Sequence, residues 1–187
     1  MGTRFSEVYN RFLGKITDDM YMELTPLDTI RDLQILLIDA IPGFEFPRVI
    51  IDDYVIDVAQ IAEADAQPDD FVIGRAEEDE TQVIVDRSYF NSVLSSEELN
   101  ILAILMMTAW LQRQVTSIEN TRMKYSGADF KMTSQANHLA KLLTLLAETQ
   151  RQSLHMQRLY KRRKVDAKTK KITSNWSVLR EVSALDD

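Results

Sequence analysis

The chain has 187 residues, carries 22 Lys and Arg against 29 Asp and Glu for a net charge of −7, and is 45% apolar. A chain of this size most simply forms one domain and buries about 70% of the surface its unfolded form exposes. It has no cysteine, which excludes disulfides, thiolate metal sites and cysteine nucleophiles, while its 5 Gly and 4 Pro favour long regular elements over a loop-rich β fold.

The opening stretch "MGTRFSEVYNRFLGKITDD" lacks the apolar centre of a signal peptide, and Met1-Gly2 fits a myristoylation site only superficially. Within it Phe5, Val8, Tyr9, Phe12 and Leu13 fall on one face, which predicts a short helix over 5–13. "TPLDTIRDLQILLIDAIPG" is a well-punctuated helix. Thr25 caps it, Pro26 suits its first position and Asp28 complements the positive end of the dipole. Leu27, Ile30, Leu33, Leu37 and Ile41 then keep the 3.6-residue period until Pro42-Gly43 stops it.

"FEFPRVIIDDYVIDV" is rich in aromatic and β-branched residues, and Pro47 opposes helix, so an extended arm is expected there. "DDFVIGRAEEDETQVIVD" sets two short apolar runs around a charged turn, which predicts a β-hairpin over 69–86. Its tip is Glu77, Glu78, Asp79 and Glu80. Placed between helices, it reads as an insertion projecting from a helical body.

"SSEELNILAILMMTAWLQRQVTSIENTRMKY" opens with a capping box from Ser95 to Glu98. Residues 101–111 are apolar almost all round, as burial on more than one side requires. A helix from Ser96 to Tyr125 would be about 45 Å long. Ser126-Gly127 breaks it, and Thr133 or Ser134 caps a second helix whose Leu139, Leu142, Leu143, Leu146, Leu154 and Leu159 form one stripe. That helix ends in "YKRRK", whose positive charge suits a helix C-terminus. The final stretch "KKITSNWSVLREVSALDD" keeps Ile172, Trp176, Val178 and Leu179 in a polar tail, a composition that docks on something. The longest apolar run, Ile101 to Met107, is too short to span a bilayer. A soluble chain, made and used in a cytoplasm, is expected.

The fold expected is mainly α: a helical bundle with two long antiparallel helices, an inserted β-hairpin and extended arm at about 44–90, and an extended C-terminal tail. The helical domain spans 1–164 and the tail 165–187.

Catalytic chemistry finds little support. The phosphate-binding glycine motifs are missing. His138 and His155 are the only histidines and lie about 25 Å apart along one helix, too far to share a metal. The pairs Asp18-Asp19, Asp52-Asp53 and Asp69-Asp70 place adjacent side chains in different directions, so they make poor two-metal sites. Spacing of EF-hand type does not occur either. Neither an enzyme nor a cofactor site is expected. Met106, Met107 and Trp110 read as core or subunit interface rather than a ligand box.

Charge is segregated. From Asp52 to Asp86 there are twelve acids and one base, Arg75; from Arg158 to Lys171 there are eight bases and one acid, Asp166. Opposite poles on one chain suit contacts between copies or with different partners, or are simply solvated faces. "QRLYKRRKVDAKTKK" has the charge for nucleic acid, but Tyr160 has no second aromatic nearby to build a stacking platform, so protein contact is the stronger reading.

Three stretches, "SIENTRMKYSGADFKMTSQANHLAKLL", "FSEVYNRFLGKITDDMY" and "AIPGFEFPR", give the chain a resemblance to head–tail connector (adaptor or neck) proteins of tailed bacteriophages. The resemblance covers most of the chain and contains no catalytic signature. It implies a structural virion protein at the neck, assembled in the host cytoplasm as a ring, usually twelve-fold, beneath the portal. Such a ring extends the DNA channel without binding DNA specifically, contacts tail or neck proteins, and has no membrane partner. By the same analogy Lys161, Arg162, Arg163, Lys164, Trp176 and Leu179 would dock on the portal. Asp69, Asp70, Glu77, Glu78, Asp79 and Glu80 would line the channel or face the tail. The alternatives are a tail-completion or head-closure protein, and a nucleic-acid-binding subunit of DNA packaging.

Overall fold

The structure, a computed structural model, describes residues 2–16, 20–75, 81–124, 133–165 and 172–174. It is mainly α with a small antiparallel β part. In chain order the elements are α1 (Phe5–Leu13), α2 (Met20–Glu23), α3 (Pro26–Ala40), β1 (Tyr54–Val55), β2 (Val58–Ala62), β3 (Phe71–Arg75), β4 (Gln82–Asp86), β5 (Tyr89–Phe90), α4 (Ser96–Lys124), α5 (Thr133–Arg162), β6 (Arg163–Val165) and β7 (Ile172–Ser174).

The helix starts follow local chemistry. Thr25 Oγ1 accepts the Asp28 N–H at 3.1 Å, with Pro26 at the first position of α3. At α4 the capping box is complete: Glu98 Oε2 accepts the Ser95 N–H at 2.7 Å, and Ser95 Oγ accepts the Glu98 N–H at 3.4 Å. Each such cap satisfies donors that the helix leaves unpaired, and is worth about 1 kcal/mol.

One core joins α1, α3 and α4. Phe5, Val8, Tyr9 and Phe12 of α1 are fully buried against Leu33, Leu36 and Leu37 of α3 and Leu102, Ala103 and Met106 of α4. Each large side chain contributes about 1.5–3 kcal/mol by leaving water. Along 101–111, where α1, α3 and α5 all contact α4, Ile101 to Ile104, Met106 and Leu111 are buried and Leu105, Met107 and Trp110 are half-buried. Over Ser96–Asn120, α4 matches a membrane span by length and composition, with 39% of that window buried in the fold.

The β part departs from a projecting hairpin. β3 and β4 do pair antiparallel, Phe71 opposite Asp86 and Arg75 opposite Val83, with a bulge between Val72 and Gly74. But β2 pairs along the other side of β4, giving a three-stranded sheet in the order β2-β4-β3. As the central strand, β4 buries Val83, Ile84 and Val85 in succession, and Ile84 meets Ile30 of α3. A Cβ on Gly74 would come within 3.0 Å of the Pro26 ring, so the sheet lies close on α3. Its base is therefore part of the body. The hairpin tip, Glu77 to Glu80, lies outside the described residues.

β1 and β5 form a second small ladder, joined at its edge by the N-terminus. The Phe90 N–H donates to Thr3 O at 2.8 Å and the Phe5 N–H to Ser88 O at 2.9 Å. A Cβ on Gly2 would fall 1.6 Å from the Phe90 carbonyl oxygen, so only glycine fits there.

The leucine stripe expected on α5 forms its seam only in part. The face turned inward carries Leu139, Thr149, Ser153, Gln157 and Tyr160, all buried, with Leu142 and Leu146 half-buried. That run follows the alternating three- and four-residue spacing of helices packed along their length. Leu143 and Leu154 sit about a quarter turn away and are exposed. Nor is the chain after α5 simply an extended tail: β6 and β7 pair antiparallel, Arg163 opposite Ser174 and Val165 opposite Ile172.

Candidate functional site

The C-terminal end of α5 meets the start of α4 in a buried polar weld. The Tyr160 hydroxyl donates to Glu98 Oε1, and the two side chains are almost wholly buried. The Tyr160 ring packs edge-on against Phe44 with centroids 5.6 Å apart. Arg48 lies over the same ring at 4.1 Å and donates to the Tyr160 carbonyl oxygen at 2.5 Å. Burial first, then the hydrogen bond and charge of Glu98, push the Tyr160 phenol above its ordinary range, with Arg48 opposing. Because residue 98 begins α4 and residue 160 ends α5, this contact makes the two long helices antiparallel.

One turn earlier, Gln157 reads the backbone of the arm. Its Nε2 donates to Gly43 O at 3.0 Å and its Oε1 accepts the Glu45 N–H at 2.8 Å. The extended arm that begins at Phe44 is thus held by three residues of α5 and its exit: Gln157, Tyr160 and, through Arg48, Arg163. The sequence gives no signal for Gln157, whose neighbours "HMQRLY" show no motif. Glu98 was visible as a capping residue but not as a partner of Tyr160.

The basic cluster is consumed in part by this weld. Lys161 sits over the Phe46 ring at 3.9 Å and Arg163 pairs with Glu97. Arg162 is exposed. Lys164 lies in β6 opposite Thr173, and Trp176 and Leu179 lie outside the described residues. Arg163 thus has its charge paired within the chain, while Lys161 keeps an exposed ammonium resting on Phe46.

The acidic set divides as well. Asp69 is exposed, but the Asp70 side chain is fully shielded and paired with Arg87 at 2.7 Å and Arg4 at 3.4 Å. Arg87 donates to both carboxylate oxygens, through Nε at 3.0 Å and Nη2 at 2.7 Å. The Arg87 hydrogen bonds, with the Gln67 N–H and the two positive charges, outweigh burial and hold the Asp70 carboxyl down at about 2. Asp70 is a latch that ties the start of β3 to Arg87 and to Arg4 near the N-terminus. Glu77, Glu78, Asp79 and Glu80 lie outside the described residues, so of this set only Asp69 is a described exposed carboxylate.

No constellation for catalysis emerges among the described residues. His138 and His155 are both exposed on α5, and no group of three or more metal-ligating side chains converges. Asp53 accepts from Asn91 Nδ2 at 2.6 Å across the β1–β5 ladder, a structural use. The grooves are open and of mixed charge: one lies beside α1 between Arg4, Glu7, Asp57 and Arg87, another between α3 and α4 at Asp39, Arg113 and Asn120.

Comparison with protein-family models, curated proteins and solved structures gives no match. The functional reading therefore rests on the surfaces. Beyond the weld, most of α5 from Asn137 to Gln152 is solvent-facing on every side but its seam. Leu143, Leu145 and Leu154 are exposed there, and Ile50, Val55, Ile56 and Val93 are exposed around the acidic arm.

Proposed function

We propose that this chain is a non-enzymatic structural subunit of a tailed-bacteriophage neck, packing with copies of itself into a ring between the capsid portal and the tail. The carrying observation is the α4/α5 pair: two long antiparallel helices, welded at one end through Glu98 and Tyr160, whose outer member leaves leucines in water. A helix of 30 residues covered only along one seam is a poor monomer surface and a natural subunit surface. Rigid rods set side by side suit a ring wall, and the resemblance to head–tail connectors supports the same role. The ring, usually twelve-fold in that family, would extend the DNA channel, with acidic surface discouraging adhesion to phosphate. Portal docking falls to the end of α5 and the segment after it, with Arg162, Trp176 and Leu179 as the contacts to test. The tail or neck proteins would meet the acidic side. Assembly would take place in the host cytoplasm, and residence would be in the virion.

A DNA-packaging subunit is the reading this one displaces. Pairing of Arg163 with Glu97 weighs against it, because it takes one cation of the run away from phosphate. Co-expression with the portal protein of the same genome, followed by electron microscopy, tests the proposal. A stacked double ring is expected. Absence of portal binding together with salt-sensitive affinity for duplex DNA would overturn it.

A further inference from the structure

The exposed flank of α5 and the exposed acidic arm are complementary in both apolarity and charge. By helical spacing Leu143, Arg151, Leu154 and Arg158 share one flank of α5, and all four are exposed, Leu143 to 44% and Leu154 to 43%. From Asn137 to Arg162 the exposed charges of α5 are Lys141, Arg151, Arg158, Lys161 and Arg162 against Glu148 alone. The arm has the opposite sign. Asp52, Asp53 and Asp57 are exposed around Val55 and Ile56, the latter 51% exposed, and the arm's own base, Arg48, is turned onto Tyr160.

We infer that the α5 flank of one copy docks on the 50–57 arm of the next, leucines on Val55 and Ile56, Arg151 and Arg158 facing Asp52 and Asp57. The second copy is the occupant because both halves of the match are carried by one chain in equal number. A two-fold pairing of α5 with α5 is disfavoured, since it sets a basic flank against its like. Two different surfaces meeting head to tail make a heterologous contact, which propagates and closes into a ring when the rotation allows. This deepens the ring reading and rests on it for closure; the contact itself rests on the two faces.

The chain has no cysteine, so single cysteines report the contact cleanly. Leu154→Cys and Ile56→Cys chains, both altered only at exposed positions, are mixed and oxidised, alone and with the portal protein present. A mixed two-chain disulfide is expected, about tenfold over either chain alone and over a Glu63→Cys control, and weakened by salt. Arg151→Glu with Arg158→Glu on the Leu154→Cys chain should abolish it, and Asp52→Lys with Asp57→Lys on the Ile56→Cys chain should restore it. Self-crosslinking of Leu154→Cys as efficient as the mixed product would overturn the inference in favour of a two-fold pair. No mixed product in either setting would overturn it outright. If the mixed disulfide forms but the portal is not bound, the connector reading fails and this contact stands; portal binding without the disulfide does the reverse.

Discussion

The Tyr160 hydroxyl donates to Glu98 Oε1 while the other oxygen of the same carboxylate caps α4 through the Ser95 N–H. One buried side chain thus starts one long helix and fixes the end of the other. Tyr160→Phe removes the donor and leaves a buried carboxylate oxygen without its partner. A loss of about 2 kcal/mol is expected, in the range for hydrogen bonds to charged groups, read as a lower urea midpoint with unchanged slope. An unchanged midpoint would mean the weld contributes nothing.

Gln157 should matter to the arm more than to the helix that carries it. Gln157→Ala frees the Gly43 carbonyl and the Glu45 N–H, at a cost of about 1–3 kcal/mol. Limited proteolysis should then cut faster in the 44–50 segment, with α5 helicity by circular dichroism intact. Equal cleavage of variant and parent would sink this assignment.

Asp70 gives a pH dependence with a definite sign. Its folded value, about 2, lies below its ordinary 3.8, chiefly through the Arg87 hydrogen bonds. The stabilisation is therefore complete above the ordinary value and is lost as pH falls through the interval down to about 2. Asp70→Asn should lower the melting temperature at neutral pH by several degrees and shrink its difference from the parent as pH approaches 2. A difference that stays constant over that range would contradict the linkage.

Tyr9 makes the opposite kind of prediction. Its hydroxyl is buried and makes no well-formed hydrogen bond among the described residues, the Asp86 carboxylate being its nearest acceptor. Burial first, then the charge of the Asp86 carboxylate and its weak hydrogen bond from the hydroxyl, push the phenol well above its ordinary range. Asp86 is itself served by Gln34 Nε2 at 3.2 Å and the Ser88 N–H at 2.8 Å. Tyr9→Phe should shift stability by no more than about 1 kcal/mol, because packing is constant and the buried hydroxyl has at best a poor bond to Asp86. A larger loss of stability would show that Asp86 does depend on that hydroxyl.

Leu102 and Leu143 separate core from surface. Leu102 is fully buried, so Leu102→Ala should cost about 2–5 kcal/mol by leaving a cavity. Leu143 is exposed, and Leu143→Ala should leave urea unfolding within about 0.5 kcal/mol of the parent. If Leu143→Ala unfolds as easily as Leu102→Ala, that leucine belongs to the fold rather than to a subunit contact.

Much of this architecture was legible locally. Thr25, Pro26 and the Ser95–Glu98 box mark helix starts because a cap is made by residues within one turn of each other. The period through Leu33 and Leu37, and the all-round apolar run at 101–111, declare burial for the same reason: the helix itself sets which side chains share a face. The placement of β2 beside β4, and the seating of that sheet on α3, were not legible, since pairing joins residues distant in the chain. The candidate surfaces were decided there too. Asp70 reads as a free charge until Arg87, brought from elsewhere in the chain, occupies it. On α5 the six leucines of one stripe divide: Leu139 is buried beside Thr149, Ser153 and Gln157, while Leu143 and Leu154 are left in water. Sequence by itself set where the helices begin and which charges they carry; only packing against α4 and the arm, a non-local contest for burial, decided which face of α5 was left in water.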